Sequence, residues 1–476
     1  MPANLTLSSP ADALSDASVA VFVGRADALR GDAVRSLLPA AVADSWDAMI
    51  DSVKPGDAGR STSTWADGKR YAACVLPTRA SRHNCAARPD AVASLVAGAL
   101  KGTGKAAVVA AVPAEATLAT AAAVARTLPR YSRRSKNGED REVSLAFVGA
   151  EPDLGRLSVI ADSVRLAGEL VDAPTCDLDV DAFVARAEAV AAEVGASIRV
   201  LRGEALREGG FGGLWGVGKA ATVGPALVVL THEPAGAEAT YAWVGKGIVY
   251  DTGGLSIKGK TGMPGMKTDM AGAAAVLGAF SAAVRNNAPH RIHAVLCLAE
   301  NAVGPDAVRP DDVIALHSGK QVEINNTDAE GRLVLGDGVS FAAKELAPDA
   351  IVDMATLTGA QLVATGRRHA GIVCNDDDLE HKAVLAGRSS GDLVHPLPYA
   401  PEFFRKEFRS KVADLKNSVK DRMNAQSSCA AQFVGEHLPR DYSKPWLHID
   451  MAGPARSDER GTGFGVALLA ELFDFS

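Results

Sequence analysis

The apolar positions along this chain fall into short runs that predict buried strands, separated by stretches with the spacing of helices. Early strands are predicted over residues 19–23, 71–76, 106–112 and 143–148. Later strands are predicted over residues 226–230, 241–250, 291–298, 351–356 and 446–451, with helices over 271–284 and 333–346. Strands that alternate with helices are typical of a sheet covered by helices, so the pattern predicts an α/β fold.

One long amphipathic helix is predicted over residues 153–171, and it ends near Pro174 because proline forbids continuation of a helix. We interpret this helix as a connector. The predicted organisation is a smaller N-terminal α/β domain (1–152), a linking helix (153–173) and a larger C-terminal α/β/α domain with a mixed central sheet (174–476). A chain of 476 residues, 47% of them hydrophobic, is long enough for two such domains.

Charge and cysteine usage narrow the possible classes of protein. The net charge is −7, so nothing draws the whole protein to nucleic acid or to anionic lipid. A basic run over residues 130–141 is interleaved with polar and acidic residues, which predicts a solvated loop. The six cysteines show no C-x-x-C pairing, so reduced thiols in a cytoplasmic protein are expected. Residues 1–18 lack a secretory pattern, and no apolar run reaches the roughly 18 residues of a membrane span.

The segment Asn326–Leu333, with the sequence NTDAEGRL, contains two carboxylates and a guanidinium. Asp328 and Glu330 are spaced i, i+2, so from an extended segment they point the same way and converge. Two such anions repel each other unless cations lie between them. Gly331 permits a tight turn or a close approach. An isolated motif of this kind is more often a polar turn in which Arg332 pairs with a neighbouring acid.

A second cluster of charged residues, over 244–269, favours a metal site instead. Lys246 and Asp251 each close an apolar strand-like run among glycines, at the edge where α/β sheets carry their chemistry. Together the two clusters supply four carboxylates, those of Asp251, Asp269, Asp328 and Glu330. Such a hard set of oxygen ligands suits Mg, Mn or Zn, and four acids indicate two bridged divalent ions rather than one.

The two lysines of this cluster have different predicted roles. An ammonium beside divalent ions and out of water loses its proton readily, and the neutral amine of Lys246 can then ligate a metal ion. Lys258 is expected to stay charged and to stabilise negative charge that develops on a substrate oxygen.

These clusters resemble the leucyl aminopeptidase (cytosol aminopeptidase) family. Asn326–Leu333 resembles the family signature, and Gly245–Asp269 resembles its first metal-binding segment. Further resemblance lies in residues 299–301, 355–360 and 446–453, so that the similarity spans about 157–476. Residues 391–398 and 412–419 most resemble the branch called probable aminopeptidase-like. The first 150 residues carry no matching motif, as expected for the variable N-terminal domain of the family.

The resemblance implies a dinuclear metallo-aminopeptidase, whose larger domain is catalytic. Such an enzyme releases N-terminal amino acids from peptides by attack of a metal-bridging hydroxide on the scissile carbonyl. It implies two divalent ions per subunit, zinc and/or manganese, with magnesium as a third candidate. The tightly held ion would be bound by Lys246, Asp251, Asp269 and Glu330. The exchangeable ion would be bound by Asp251, Asp328 with its own backbone carbonyl, and Glu330.

Further roles follow from the same resemblance. Lys258 and Arg332 would be the catalytic pair, with Arg332 holding a bicarbonate ion that serves as general base. The substrate pocket would be lined by Met266, Asn326, Thr356, Leu357 and Gly359. Substrates would be peptides with a free N-terminus, and the assembly would be a homo-hexamer of two stacked trimers. Gly259, Thr268, Ala271 and Asp311 replace residues commoner in the family, which is expected to affect side-chain preference rather than chemistry.

Several other segments are interpreted as structural. Gly213–Ala220 matches a phosphate-binding loop except that alanine replaces the final hydroxyl residue, and no clear strand precedes it. His232 begins a pattern like a zinc-peptidase helix, but proline follows two positions later and the second histidine is missing. His448 is predicted to be a hydrogen-bonded core histidine. Asp414–Ser428 is predicted to form a surface loop near the mouth of the site.

Two other classes of protein compete with the peptidase interpretation. A binding or scaffold protein that kept the fold and lost the chemistry would lack a ligand acid or one of the catalytic pair, and every one of these residues is present. A two-metal phosphoesterase also uses carboxylates but usually recruits histidines, and none lies inside these motifs. The aminopeptidase interpretation is therefore preferred.

Overall fold

The computed structural model describes residues 3–102, 104–135 and 141–476. Two mixed sheets organise the chain, one built by the N-terminal part and a larger one built by the rest. Helices cover both sheets, so the predicted two-domain α/β fold is confirmed. None of the helices in these three ranges is long and apolar enough to cross a membrane. All six cysteines are free thiols.

The N-terminal sheet has six strands: β1 (Ala3–Leu7), β2 (Val19–Gly24), β3 (Arg60–Ala66), β4 (Lys69–Val75), β5 (Lys105–Ala111) and β6 (Arg141–Val148). The helices of this part are α1 (Pro10–Ser15), α2 (Ala26–Leu29), α3 (Asp32–Arg35), α4 (Ala40–Asp51), α5 (Pro89–Ala99) and α6 (Thr117–Arg126). The strand order is β1-β6-β5-β2-β4-β3, and all neighbours are parallel except β4 and β3. The four predicted strands are the buried β2, β4, β5 and β6.

The remaining helices are α7 (Leu154–Asp172), α8 (Val180–Val194), α9 (Glu204–Glu208), α10 (Gly212–Gly218), α11 (Ala271–Arg285), α12 (Gly331–Glu345), α13 (Gly359–Ala364), α14 (Asp377–Ser390), α15 (Pro401–Phe404), α16 (Gln426–Gly435) and α17 (Val466–Leu472). Helix α7 occupies the predicted position of the connector. It packs against α6 of the N-terminal part and against α11 and α17 of the second part. Short 3-10 helices span Ala114–Ala116, Met266–Thr268 and Arg405–Phe408.

The remaining strands are β7 (Ser197–Arg202), β8 (Ala226–His232), β9 (Thr240–Asp251), β10 (Arg291–Asn301), β11 (Val313–Ala315), β12 (Gln321–Glu323), β13 (Ala350–Ala355), β14 (Ala370–Cys374), β15 (Val394–Pro396), β16 (Leu415–Lys416), β17 (Trp446–Asp450), β18 (Arg456–Ser457) and β19 (Arg460–Gly461). Eight of them form the large sheet in the order β15-β14-β17-β13-β9-β10-β8-β7. The central strands β17, β13, β9 and β10 are mutually parallel. β14 pairs with β17 and β8 pairs with β10 in antiparallel fashion, and β7 is antiparallel to β8.

The two faces of the large sheet are both buried. Along β9, Trp243 belongs to the hydrophobic cluster that contains α11, and Val244 belongs to the cluster that contains α12. Alternate side chains of a strand point to opposite faces, so one strand serves both clusters. The central strands are thus fixed from both sides, and their carboxyl ends form a rigid base for the residues that follow them.

Candidate active site

The parallel strands of the large sheet end at one common edge, and their last residues form the base of the site. β9 ends at Asp251 and β10 at Asn301, and these two residues are partners in the strand register. β17 ends at Asp450, and the chain leaves β13 toward Thr356. The charged residues of the second cluster therefore lie at the edge of the sheet where the strand pattern predicts chemistry.

Lys246 lies inside β9, not at the end of a strand. The two apolar runs closed by Lys246 and Asp251 form one continuous strand from Thr240 to Asp251, in agreement with the strand predicted over residues 241–250. The lysine is tolerated there because its side chain leaves the strand toward Gly331: a Cβ on that glycine would lie 2.6 Å from Lys246 Cε. The glycine of the signature segment is therefore required by the close approach of this lysine.

Each of two lysine side chains bridges two of the four carboxylates. Lys246 Nζ lies 2.8 Å from Asp269 Oδ2 and 2.9 Å from Glu330 Oε1. The contacts of the second lysine are Lys258 Nζ–Asp251 Oδ2 at 2.7 Å and Lys258 Nζ–Asp328 Oδ1 at 2.6 Å. The side chain of Lys246 is 3% exposed and that of Lys258 is 17% exposed. The first lysine is thus enclosed, while the second faces the opening of the site.

The carboxylates carry more negative charge than the two ammonium groups can neutralise. Oxygens of Asp251, Asp328 and Glu330 lie within 4.8 Å of one another, and Asp269 joins this group through Lys246. Burial raises the pKa of Glu330, and the charges of Asp251 and Asp269 raise it further against the opposing lysines. Glu330 Oε2 is buried and has no hydrogen-bond partner in the described parts of the chain. A further cation would be stabilised at this position.

The pKa of Lys246 reflects the same surroundings. Burial acts to lower it, but the charges of Asp269, Glu330 and Asp251 outweigh burial, and the net effect is a raised pKa. A neutral amine at this position therefore requires an additional positive charge beside it, as a bound divalent ion would provide. The ligand role of Lys246 stays a prediction.

Arg332 lies in the first turn of α12 and is 5% exposed. Its Nη1 donates to the backbone carbonyl of Asn417 at 3.1 Å. Its Nε finds no acceptor among residues 3–102, 104–135 and 141–476. Burial lowers the pKa of Arg332 to about 10, so the guanidinium is still charged at neutral pH. A buried, charged donor with free capacity is suited to an anion.

The residues predicted to line the substrate pocket adjoin the carboxylates. Thr356 donates from Oγ1 to Asp269 Oδ1 at 2.8 Å, and its carbonyl accepts from Lys246 Nζ at 3.0 Å. Asn326 Oδ1 accepts from the backbone N–H of Asp328 at 3.1 Å. The remaining predicted residues lie close to these in sequence: Met266 is three positions before Asp269, Leu357 directly follows Thr356, and Gly359 is three positions after Thr356.

The structure adds four supporting residues that have no role predicted from the sequence. Three of them are uncharged and the fourth is an aspartate. Asn301 Nδ2 donates to Asp251 Oδ1 at 2.8 Å, which orients that carboxylate. Thr327 Oγ1 donates to the carbonyl of Gly253 at 2.7 Å. The other two are the buried Asn417 and Asp450. Their segments carry the family resemblance, which is the signal that points to them.

Asp450 holds the backbone of the substrate-pocket segment. Its Oδ1 accepts from the N–H of Leu357 at 3.1 Å, and its Oδ2 accepts from Thr358 Oγ1 at 2.6 Å. Asp450 is 1% exposed, and burial raises its pKa. Because it ends β17, it ties the segment after β13 to the neighbouring strand.

Two local predictions are wrong. Asp328 and Glu330 do not lie on an extended segment: a turn precedes Glu330, which is the N-cap of α12. They converge because the turn redirects the chain. The predicted surface loop Asp414–Ser428 is exposed only at Asp414 and over 420–423. Its start pairs with β12 through β16 and its end begins α16, because Asn417 anchors the stretch to the signature segment.

The segments interpreted as structural behave as predicted. Gly213–Ala220 contains most of helix α10, and the backbone N–H of Leu214 donates to the buried carboxylate of Asp337 at 2.8 Å. His232 ends strand β8 and starts no helix. His448 is 1% exposed, and its Nδ1 lies 2.6 Å from Asp353 Oδ1. Part of the basic run over 130–141, residues 136–140, lies outside the described residues.

Comparison with known proteins identifies the family. Residues 165–470 match the catalytic domain of the cytosol aminopeptidase family, and residues 19–137 match M17 aminopeptidase N-terminal domain 2. The chain belongs to the cytosol aminopeptidase family. The first 150 residues, which carry no motif recognisable in the sequence, are thus accounted for as well.

The relatives agree with the predicted branch of the family. The chain is 48% identical over 449 residues to the human protein named "Probable aminopeptidase NPEPL1", a match that covers 92% of this chain and 85% of the relative. The structure of leucine aminopeptidase LAP1 from Caenorhabditis elegans matches with a TM-score of 0.94 and 37% identity over 99% of both chains. Leucyl aminopeptidase from Trypanosoma brucei, solved with bestatin, matches with a TM-score of 0.92 and 40% identity over 100% of this chain and 96% of the other.

Proposed function

We propose that this protein is a dinuclear metallo-aminopeptidase that removes N-terminal amino acids from peptides. The observation that carries the proposal is the convergence of Asp251, Asp328 and Glu330 within 4.8 Å, with one buried oxygen of Glu330 that has no hydrogen-bond partner among the described residues. Family membership supports the aminopeptidase class of reaction. The intact catalytic pair argues against a protein that kept only the fold.

The oxygen-rich donors fit divalent ions. One ion would be held by Lys246, Asp251, Asp269 and Glu330. The other would be held by Asp251, Asp328 and Glu330. Zinc and manganese are the preferred candidates, with magnesium as a third. When bound, two such ions would polarise the scissile carbonyl and supply a hydroxide nucleophile at neutral pH.

Lys258 and Arg332 have roles apart from metal binding in this proposal. Lys258 is partly exposed, and its ammonium can turn from the carboxylates toward an oxygen of the substrate. There it would stabilise negative charge that develops on the scissile carbonyl. The guanidinium of Arg332 has free donors and would hold bicarbonate in bidentate fashion, so that the bicarbonate acts as general base.

The substrate pocket would be formed by Met266, Asn326, Thr356, Leu357 and Gly359. The hydrogen bonds from Leu357 and Thr358 to Asp450 support this role, because they give the wall of the pocket a fixed backbone. A fixed wall positions the reacting carbonyl relative to the nucleophile, which is a large part of catalytic efficiency.

We further propose that domain boundaries fall at 1–152, 153–173 and 174–476. The protein is proposed to act in the cytoplasm as a homo-hexamer of two stacked trimers. Multi-angle light scattering measures the assembly directly: a mass six times that of the 49.1 kDa chain is expected, and a monomer would contradict it.

The central test is hydrolysis of a panel of aminoacyl-amides by protein to which divalent ions are returned stepwise. Activity should require two equivalents of ion, since four carboxylates and Lys246 exceed the four ligands that one tetrahedral ion uses. It should also require a free α-amine on the substrate. N-acetylated forms of the same substrates are the matched control and should be inert. Equal cleavage of free and acetylated substrates, or full activity with one equivalent of ion, would contradict the proposal.

A further inference from the structure

A second cavity lies at the carboxyl edge of the N-terminal sheet and has a volume of about 880 Å³. It is lined by the residues that directly follow four parallel strands, namely Arg25 after β2, Leu76 after β4, Val112 after β5 and Gly149 after β6. None of its lining residues belongs to the metal, catalytic or substrate set described above. The cavity is therefore distinct from the candidate active site.

The cavity lies where the topology of this sheet changes direction. β2 and β5 are parallel neighbours at its centre. From β2 the chain continues to β4 on one side, whereas from β5 it continues to β6 on the other side. The loops after two such strands diverge and leave a crevice between them, which is the general location of ligand sites in open α/β sheets.

The second part of the protein contributes to the wall of the cavity. Leu385, Arg388 and Ser389 of helix α14 line it together with the strand ends. Helix α14 packs on α6, and Arg126 of α6 forms an ion pair with Asp392 just after α14. A ligand in this cavity would touch both the N-terminal sheet and a helix of the catalytic part.

Two arginines of the lining, Arg25 from the end of β2 and Arg388 from α14, have free hydrogen-bonding capacity within the described residues. Arg388 makes no hydrogen bond or ion pair within the described ranges, and Arg25 donates a single long bond of 3.4 Å to the carbonyl of Ala86. A third arginine on the wall, Arg88, is already paired with Asp90 at 2.9 Å. Guanidinium groups with free donors are suited to carboxylate and phosphate groups.

The rest of the lining sets the shape of the ligand. Alanine, leucine, valine and proline form most of the wall between the arginines, and a Cβ placed on Gly149 would meet no atom within 4 Å. Asp27 and Glu115 also line the cavity, so an anion is favoured by the arginines with free donors and not by the overall charge of the wall.

We propose that this cavity binds a small organic anion, a molecule with an apolar or aromatic body and one phosphate or carboxylate group. The anionic group lies between Arg25 and Arg388, and the body contacts the ends of β4, β5 and β6. A volume of this size is in the range of small-molecule sites, about 300–1,000 Å³. The inference does not depend on the proposed reaction at the other site.

The test is isothermal titration of the full chain with AMP as a phosphate probe, hippurate as a carboxylate probe and adenosine as a neutral control. The variants are Arg388→Gln and Arg25→Gln. Each removes one charge-assisted contact, so affinity for the bound anion should fall roughly ten- to hundredfold. Arg199→Gln is the matched control, because Arg199 is exposed on β7 and has no ion pair in the described structure. It should bind as the wild type does.

Selective binding of AMP identifies a phosphate site, and selective binding of hippurate identifies a carboxylate site; either supports the proposal if both cavity variants weaken it. Absence of binding by the wild type with both anionic probes overturns it. Equal affinity in Arg388→Gln and wild type also overturns it, because the anion would then be bound elsewhere, as at the candidate active site. Far-ultraviolet circular dichroism confirms that each variant is folded.

Discussion

Asn417 offers the sharpest test of how the metal ligands are positioned. It is fully buried and reaches back to the signature segment from the stretch before α16. Its Oδ1 accepts from the N–H groups of Asn325 at 2.9 Å and Asn326 at 3.2 Å. Its Nδ2 donates to the carbonyl of Asn326 at 2.7 Å. The Asn417→Ala substitution removes these bonds from the turn that carries two of the proposed ligands.

The size of the effect follows from these contacts. The substitution removes the acceptor of two partly buried backbone N–H groups. A fully buried, unpaired donor costs about 1–3 kcal/mol, so the total is at most about 6 kcal/mol, divided between lower stability and looser placement of Asp328 and Glu330. Loss of a residue that orients metal ligands typically lowers metal affinity about 10–100-fold. We expect a loss of affinity in that range.

The assay is competition with a fluorescent chelator for zinc or manganese, well below the melting temperature of each variant. Asn286→Ala is the matched control. Asn286 is also a buried asparagine, and it donates to the carbonyls of Phe475 at 2.9 Å and Arg156 at 3.3 Å, away from the site. It should lower the melting temperature without changing metal affinity. Wild-type metal affinity in the Asn417 variant would refute this positioning role.

Three further outcomes are expected. Glu330→Gln should lose metal as measured by elemental analysis, because it removes a charge shared by both proposed ions. Lys258→Ala and Arg332→Ala should both retain metal. Steady-state turnover should fall in both, with the activation free energy raised by about 3 kcal/mol for Lys258→Ala and by less for Arg332→Ala. Bicarbonate should stimulate only proteins that keep Arg332. Burial acts to lower the pKa of His448, but Asp353 outweighs burial, and the net effect is a raised pKa. The stabilisation that the protonated histidine gains from Asp353 is complete below the unfolded pKa of about 6.5 and is lost as pH rises through the folded pKa. As pH rises through the folded pKa of His448, the melting temperature of the wild type should therefore decline relative to the melting temperature of Asp353→Asn.

The sequence predicts most of the long strands whose two faces are buried, although it misses β14, which is buried along its whole length. β2, β5, β9 and β13 are apolar runs because helices cover the sheet on either side. The edge strands β1 and β7 alternate exposed and partly buried residues, and a search for apolar runs does not detect them. Their pairing depends on neighbours distant in the chain, which no local pattern contains.

The site was partly predictable for a similar reason. Clustered acids and lysines are recognisable in the sequence because like charges that lie close together repel each other unless opposite charges neutralise them. Asn417 is a neutral amide with no such signal, and it bonds to a backbone 92 positions away. The convergence of the acids was predicted correctly but with the wrong backbone, since a turn before α12 achieves what the prediction assigned to an extended segment.

The two lysines show how burial supports the different roles that the sequence predicts for them. Both bridge a pair of carboxylates at nearly the same distances. Lys246 is enclosed by β9 and by Gly331, whose missing Cβ gives it space, so its amine can contact only the carboxylates, the carbonyl of Thr356 and whatever cation they bind. Lys258 retains an exposed side and can exchange a carboxylate for a substrate oxygen. The enclosed lysine is therefore suited to ligation and the open one to catalysis, which is the assignment that metal analysis of the Lys258 variant tests.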